Sequence, residues 1–98
     1  MIKVFLKDNL IEISGHANYA DYGKDIVCAS VSSIIVTSTN DMLTINKDAV
    51  EYTDNGNKVS IKIIKEDNLV KKLFNNLIEL LKSLAKDYPQ NIKIESED

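Results

Sequence analysis

Residues 25–43, DIVCASVSSIIVTSTNDML, decide how the chain folds. The run is rich in β-branched residues, which favour strands, yet it is roughly three times the usual strand length. Length favours a helix. Wound as a helix, Val27, Val31, Ile34, Ile35 and Met42 share one broad apolar face at i, i+4, i+7 and i+8 spacing. Serines and threonines elsewhere on it allow neighbours to approach closely. Upstream, residues 15–24 (GHANYADYGK) are small and polar, carry two tyrosines and have a glycine near each end. They form an irregular connection of the kind that often carries function. Before that, residues 2–7 (IKVFLK) and 10–14 (LIEIS) are two short β-type runs around Asp8-Asn9, a pair that tolerates turns, and they predict a hairpin.

Downstream, residues 49–54 (AVEYTD) and 58–65 (KVSIKIIK) flank Asn55-Gly56, whose tolerance of positive φ predicts a type I′ hairpin. Asp67 or Asn68 then caps a helix running to about Tyr88. Its expected apolar stripe is Leu69, Val70, Leu73, Phe74, Leu77, Leu81, Leu84 and Ala85. Pro89 ends this helix. Residues 91–95 (NIKIE) make a last strand, and the acidic residues 95–98 are expected to fray. The order ββαββαβ implies an α+β fold, with two helices on a mainly antiparallel sheet, in a single domain spanning residues 1–98.

Composition narrows the function classes. Ninety-eight residues with 44% hydrophobic content suffice for one modest core. No uninterrupted apolar run reaches the roughly 18 residues of a membrane span, and no apolar signal region follows the first residues. The single cysteine forms no internal disulfide and suits a reducing compartment. A soluble, cytoplasmic protein is expected. A net charge of −3 opposes a nucleic-acid footprint, and all 12 basic residues are lysines, so the bidentate fork of arginine is missing. No direct nucleic-acid or membrane binding is expected.

The chain holds one histidine, His16, and one cysteine, Cys28, 12 positions apart across the polar connection. Attack by a cysteine on a carbonyl needs a thiolate, a base and donors for the oxyanion. With Asp25 as N-cap, Cys28 takes the third helical position, where the dipole favours the thiolate. The backbone amides of Cys28 and Ala29 are then candidate oxyanion donors. Ser32, four residues on, shares the face of Cys28. The plainer readings are a small core cysteine, a solvated histidine, an ordinary cap and a packing serine. Tyr19 and Tyr22 are either pocket walls or loop anchors. One His and one Cys fall short of a zinc site, so no metal and no cofactor are expected.

The segment Gly15-His16-Ala17, then Gly23-Lys24-Asp25-Ile26-Val27-Cys28-Ala29, then Ser32, resembles the ribosomal-processing cysteine protease (Prp) family. The resemblance implies Cys28 as nucleophile, His16 as general base, and Asp25, Ser32 and Gly15 as supporting residues. It implies a substrate loop containing Ala17, Asn18, Tyr19, Tyr22 and Gly23. It also implies a homodimer whose protein substrate is the short N-terminal extension of large-subunit ribosomal protein twenty-seven, cut after aromatic residues. Two other readings of the same residues are a non-enzymatic module that binds the same tail and a thiol redox protein. The second lacks a resolving cysteine.

Overall fold

In the computed structural model, residues 1–15 and 26–97 are described; His16, Ala17, Asn18, Tyr19, Tyr22, Gly23 and Asp25 lie outside them. The elements are β1 (Ile2–Lys7), β2 (Leu10–Ser14), α1 (Ile26–Ile45), β3 (Val50–Asp54), β4 (Lys58–Ile63), α2 (Asn68–Asp87) and β5 (Ile92–Ser96). The strands form one sheet in the order β3-β4-β2-β1-β5. All neighbours are antiparallel except β1 and β5, which run parallel with Ile2 opposite Ile92.

The alternation of β1, β2 and β4 is visible in their burial. Ile2, Val4 and Leu6 of β1, Ile11 and Ile13 of β2, and Val59, Ile61 and Ile63 of β4 all turn inward. The intervening Lys3, Lys7, Lys58 and Lys62 stay exposed, as a sheet covered on one face requires. The β1–β2 connection is the two-residue turn Asp8-Asn9, and Asn9 adopts φ 60°, a conformation asparagine tolerates.

The second hairpin differs from expectation. Gly56 has φ 89°, but Asn55 does not have a positive φ, so the turn is not type I′. Instead Asn55 donates its amide to the Lys58 carbonyl, and its side-chain oxygen accepts the Asn57 and Lys58 amides. The turn is thereby centred on Gly56-Asn57, one residue later than the dipeptide signal suggests. The flanking strands are correspondingly shorter, β3 starting at Val50 and β4 ending at Ile63.

Both helices lie against the core. α1 is helical despite its β-branched content, and Val27, Cys28, Val31, Ile35, Thr39 and Met42 are buried along one side. Two of its hydroxyls fold back onto the helix: Ser30 Oγ donates to the Ile26 carbonyl and Thr44 Oγ1 to the Asn40 carbonyl. By length and mean hydropathy (1.4) α1 meets the criterion for a membrane-crossing helix, but its buried side packs into the core of this fold.

α2 begins at an N-cap, Asp67, whose carboxylate accepts the Leu69 and Val70 amides. Its buried stripe is narrower than expected, comprising Val70, Phe74, Leu77 and Leu81, with Leu73, Leu84 and Ala85 half-buried at the flanks. Leu69 is half exposed, contrary to expectation. It stands about 100° around the helix from Val70, off the line that meets the core.

The helices run antiparallel. At one end, the side-chain amide of Asn46, just beyond α1, donates to Asp67. At the other, Leu84 of α2 shares a surface groove with Ile26, Ala29 and Ile34 of α1. The C-terminus of α2 also closes onto the start of β5, since the Ile92 amide bonds to the Tyr88 carbonyl. The start of α1, the end of α2, the start of β1 and the end of β2 therefore gather at one end of the sheet.

Candidate active site at the start of helix α1

Cys28 is the third residue of α1 and is buried, with 5% of its surface exposed. It stands within the first helical turn, where the aligned peptide dipoles concentrate positive potential. No acidic residue of the helix lies in that turn to oppose the effect. Ala29 follows on the exposed side. Ser32 is half-buried one turn further along the face of Cys28, as their spacing requires.

Gly15 sits at the other side of this end, immediately after β2. It has φ 79°, in the left-handed region where glycine carries no side-chain penalty. A β-carbon there would collide with the carbonyl oxygen of Met1. This close approach of the start of β1 to the exit of β2 has no signature in the sequence, because it depends on the register of the two strands. The sequence also gives no hint that Ile26, Ser30, Ser33 and Leu84 line a shallow groove outside the helix layer, beside the cysteine-bearing turn.

A second depression lies at the opposite end, between Asn9, Ile63, Ile64 and the start of α2. It contains Lys65 and Lys71 together with Glu66 and Asp67, and Lys71 already donates to the Asn9 side chain at 2.6 Å. It is remote from Cys28 and balanced in charge. Among the described residues, no group of three His, Cys, Asp or Glu side chains could hold a metal ion.

A thiol at the positive end of a helix is suited to nucleophilic attack, and comparison with known proteins shows which family the chain belongs to. The model of the cysteine protease Prp family matches residues 1–93. The chain belongs to the Prp family of cysteine proteases. It is 34% identical to the ribosomal processing cysteine protease Prp of Mycoplasma genitalium, over 99% of this chain and 97% of that protein. It is 31% identical to the Prp of Staphylococcus aureus, over 84% of this chain and 80% of that protein.

The fold is that of the Prp family as well. The crystal structure of S. aureus Prp in complex with a substrate peptide matches with a TM-score of 0.86 at 22% identity, covering 99% of this chain and all of that one. The same enzyme with a covalently linked product peptide matches with a TM-score of 0.83 at 25% identity, with the same coverage. The present chain is accordingly a cysteine peptidase.

Proposed function

We propose that this peptidase removes the short N-terminal extension of large-subunit ribosomal protein twenty-seven in the cytoplasm, with Cys28 as nucleophile and His16 as general base. The observation that carries the reading is the position of the chain's one cysteine, in the first turn of α1, within a cysteine protease family whose relatives are ribosomal processing enzymes.

The chemistry runs in two halves. His16 accepts the thiol proton of Cys28, and the thiolate attacks the peptide carbonyl that follows an aromatic side chain. The oxyanion is held by the backbone amides of Cys28 and Ala29 at the helix start. Collapse expels the new amine, which takes the proton from His16, and leaves a thioester on Cys28. Water, deprotonated by His16, hydrolyses the thioester and restores the thiol. Asp25 supports the helix start, the Ser32 hydroxyl orients the sulfur or the substrate, and Ala17, Asn18, Tyr19, Tyr22 and Gly23 belong to the substrate loop. The cycle needs no metal or cofactor.

The working unit in this reading is a homodimer paired through the outer face of α1. Ile26 and Val36 are exposed on that face with small polar residues between them, and Asp41 is the only charged residue in the whole helix. A monomer mass in sedimentation equilibrium would remove the pairing and leave the catalytic assignment intact.

The test is mass spectrometry of a peptide spanning the extended N-terminus of the ribosomal protein, incubated with wild type and with Cys28→Ala. One internal cut with many turnovers is expected from wild type. Cys28→Ala is expected to lose more than about 10⁴-fold in rate while keeping the fold. Full cleavage by Cys28→Ala defeats the nucleophile assignment. A peptide that binds but stays intact makes the chain a tail-binding module.

A further inference from the structure

We infer that the outer edge of β3 is a docking edge for the substrate: an extended peptide segment adds to it as a further strand and sets a basic residue against Asp54. The inference rests on the reading of Cys28 as the nucleophile of a peptidase.

The edge is free because of its register. β3 is the last strand on its side of the sheet and pairs with β4. Antiparallel neighbours exchange backbone hydrogen bonds at every second residue. The Ala49 carbonyl accepts the Ile64 amide and the Asn55 amide donates to the Lys58 carbonyl, so Glu51 and Thr53, in step with them, bond to β4. The amides and carbonyls of Val50, Tyr52 and Asp54 point away from the sheet. Val50 is buried, whereas Tyr52 is 38% exposed and Asp54 is exposed, so the accessible groups lie toward the end of the strand. Sheet edges are commonly blunted by lysine, proline or a bulge. β3 (VEYTD) has neither residue, and its register with β4 is unbroken. The opposite edge, β5, carries Lys93 and lies beside α2.

The β3 edge also leads toward the cysteine. α1 packs against β3, and Tyr52 and Asp54 are in register with the buried Ile61 and Val59, so their side chains lie on the face that carries the helices. β3 starts just after the end of α1 and runs back along it, bringing Asp54 to the end of the sheet where β2 finishes. From the rise of each element, Cys28 lies about 25 Å from the end of α1 and Asp54 about 13 Å from the start of β3. An extended peptide leaving the edge at Asp54 therefore reaches the level of Cys28 after about four residues.

Charge defines the partner. The charged residues of β3 are Glu51 and Asp54. Glu51 has Lys62 opposite it, but Asp54 stands opposite Val59 and forms no ion pair among the described residues. One oxygen of its carboxylate accepts the Gly56 amide. Burial first, and the charge of Asp54 second, raise the Tyr52 hydroxyl above its ordinary value, as two neighbouring side chains on one face require. A lysine or arginine of the added strand, opposite Asp54, supplies the missing cation. The peptide residue two positions away then covers the Tyr52 ring.

The rival view is that these acidic residues only keep the edge from pairing with other molecules. Backbone amide exchange measured by NMR separates the two. Cys28→Ala, which leaves the peptide whole, is compared with and without a saturating peptide spanning the extended N-terminus of the ribosomal protein. The Tyr52 and Asp54 amides are expected to exchange at least about 10-fold more slowly with peptide bound, while Glu51 and Thr53, already bonded to β4, change little. With wild type, N-methylation of successive peptide residues is expected to raise KM at alternate positions only, because every second amide faces β3. Asp54→Asn keeps an acceptor for the Gly56 amide and is expected to raise KM several-fold at low salt with little change in kcat.

A bound peptide that leaves the Tyr52 and Asp54 amides at their free exchange rates overturns the inference, and so does an N-methyl scan without alternation. An unchanged KM in Asp54→Asn refutes the basic partner given to that carboxylate. Cleavage by wild type with unprotected edge amides leaves the peptidase reading standing without the docking edge. Protected amides under a peptide that wild type never cuts keep the edge and remove the reading, and a peptide that neither binds nor is cut overturns both.

Discussion

The two helices have the same length, pack on the same face of one sheet and touch each other, yet they differ in charge. α2 carries Lys71, Lys72, Glu79, Lys82, Lys86 and Asp87, and its buried apolar residues form a narrow stripe toward the core, with Leu69 and Leu80 exposed beside it. α1 carries Asp41 alone and leaves Ile26, Val36 and Ile45 exposed. A surface helix normally opposes its apolar face with charge, and α2 follows that rule. α1 breaks it, on the helix whose first turn holds Cys28. The contrast separates a helix that completes the core from one whose outer surface and first turn are kept clear of charge for other uses.

The comparison can be broken most forcefully through α2. Phe74 is 1% exposed at the centre of its stripe, and Phe74→Ala is expected to lower stability by about 3–5 kcal/mol in urea denaturation. A loss under about 1 kcal/mol would mean that α2 is not the structural partner. Charge placed on the outer faces sharpens the contrast. Val36→Glu on α1 is expected to convert the proposed dimer to a monomer by light scattering, whereas Leu80→Glu on the exposed side of α2 leaves the mass unchanged and shifts stability by no more than about 0.5 kcal/mol. Equal behaviour of the two variants would erase the distinction.

A smaller effect is expected inside α1. Thr39 is 5% exposed, and its hydroxyl has no hydrogen-bond partner among the described residues. Thr39→Val has almost the same shape without the polar atom, and is expected to raise stability by about 1 kcal/mol. A loss of stability would point to a partner for that hydroxyl.

The smallest effect belongs to the cap of α2. The hydrogen bond from Asn46 and the amides of Val70 and Leu69 hold the Asp67 carboxyl below its usual range, against a weaker opposing effect of desolvation. A lowered folded-state value means that the cap stabilises fully above the ordinary carboxylate range and that this contribution disappears as pH falls through the folded value. Asp67→Ala is therefore expected to lower the melting temperature at pH 7, with the gap to wild type closing in acid. A gap that stays constant with pH would show that the charge is not involved.

Much of this was legible in the sequence, and the exceptions have physical causes. Element order and type followed from periodicity, and even the β-branched α1 was read correctly because its length outweighed its composition. The type of the second turn was misjudged, because the Asn55 side chain takes over amides that an Asn-Gly pair would otherwise leave to the backbone. The exposure of Leu69 was missed because a list of apolar residues does not reveal how wide a strip of helix the sheet covers. That Cys28 and Ser32 share a face of α1 followed from their spacing. The contact between Gly15 and Met1 did not, since it arises only where two strands and a loop exit meet in space. Strand order was also beyond local reading, because the β1–β5 pairing joins residues from the two ends of the described chain.

That last pairing has a consequence for how the molecule comes into being. β1 finds its antiparallel partner β2 across a two-residue turn, but its parallel partner β5 lies almost the full length of the chain away. Closing so long a loop is entropically slow. Until it closes, one edge of β1 is left unpaired, and the Ile2 amide lacks the Asn91 carbonyl that anchors the start of that strand. The contact of Gly15 with Met1 is thus secured late, and a chain still emerging from synthesis would carry Cys28 well before the start of β1 is anchored.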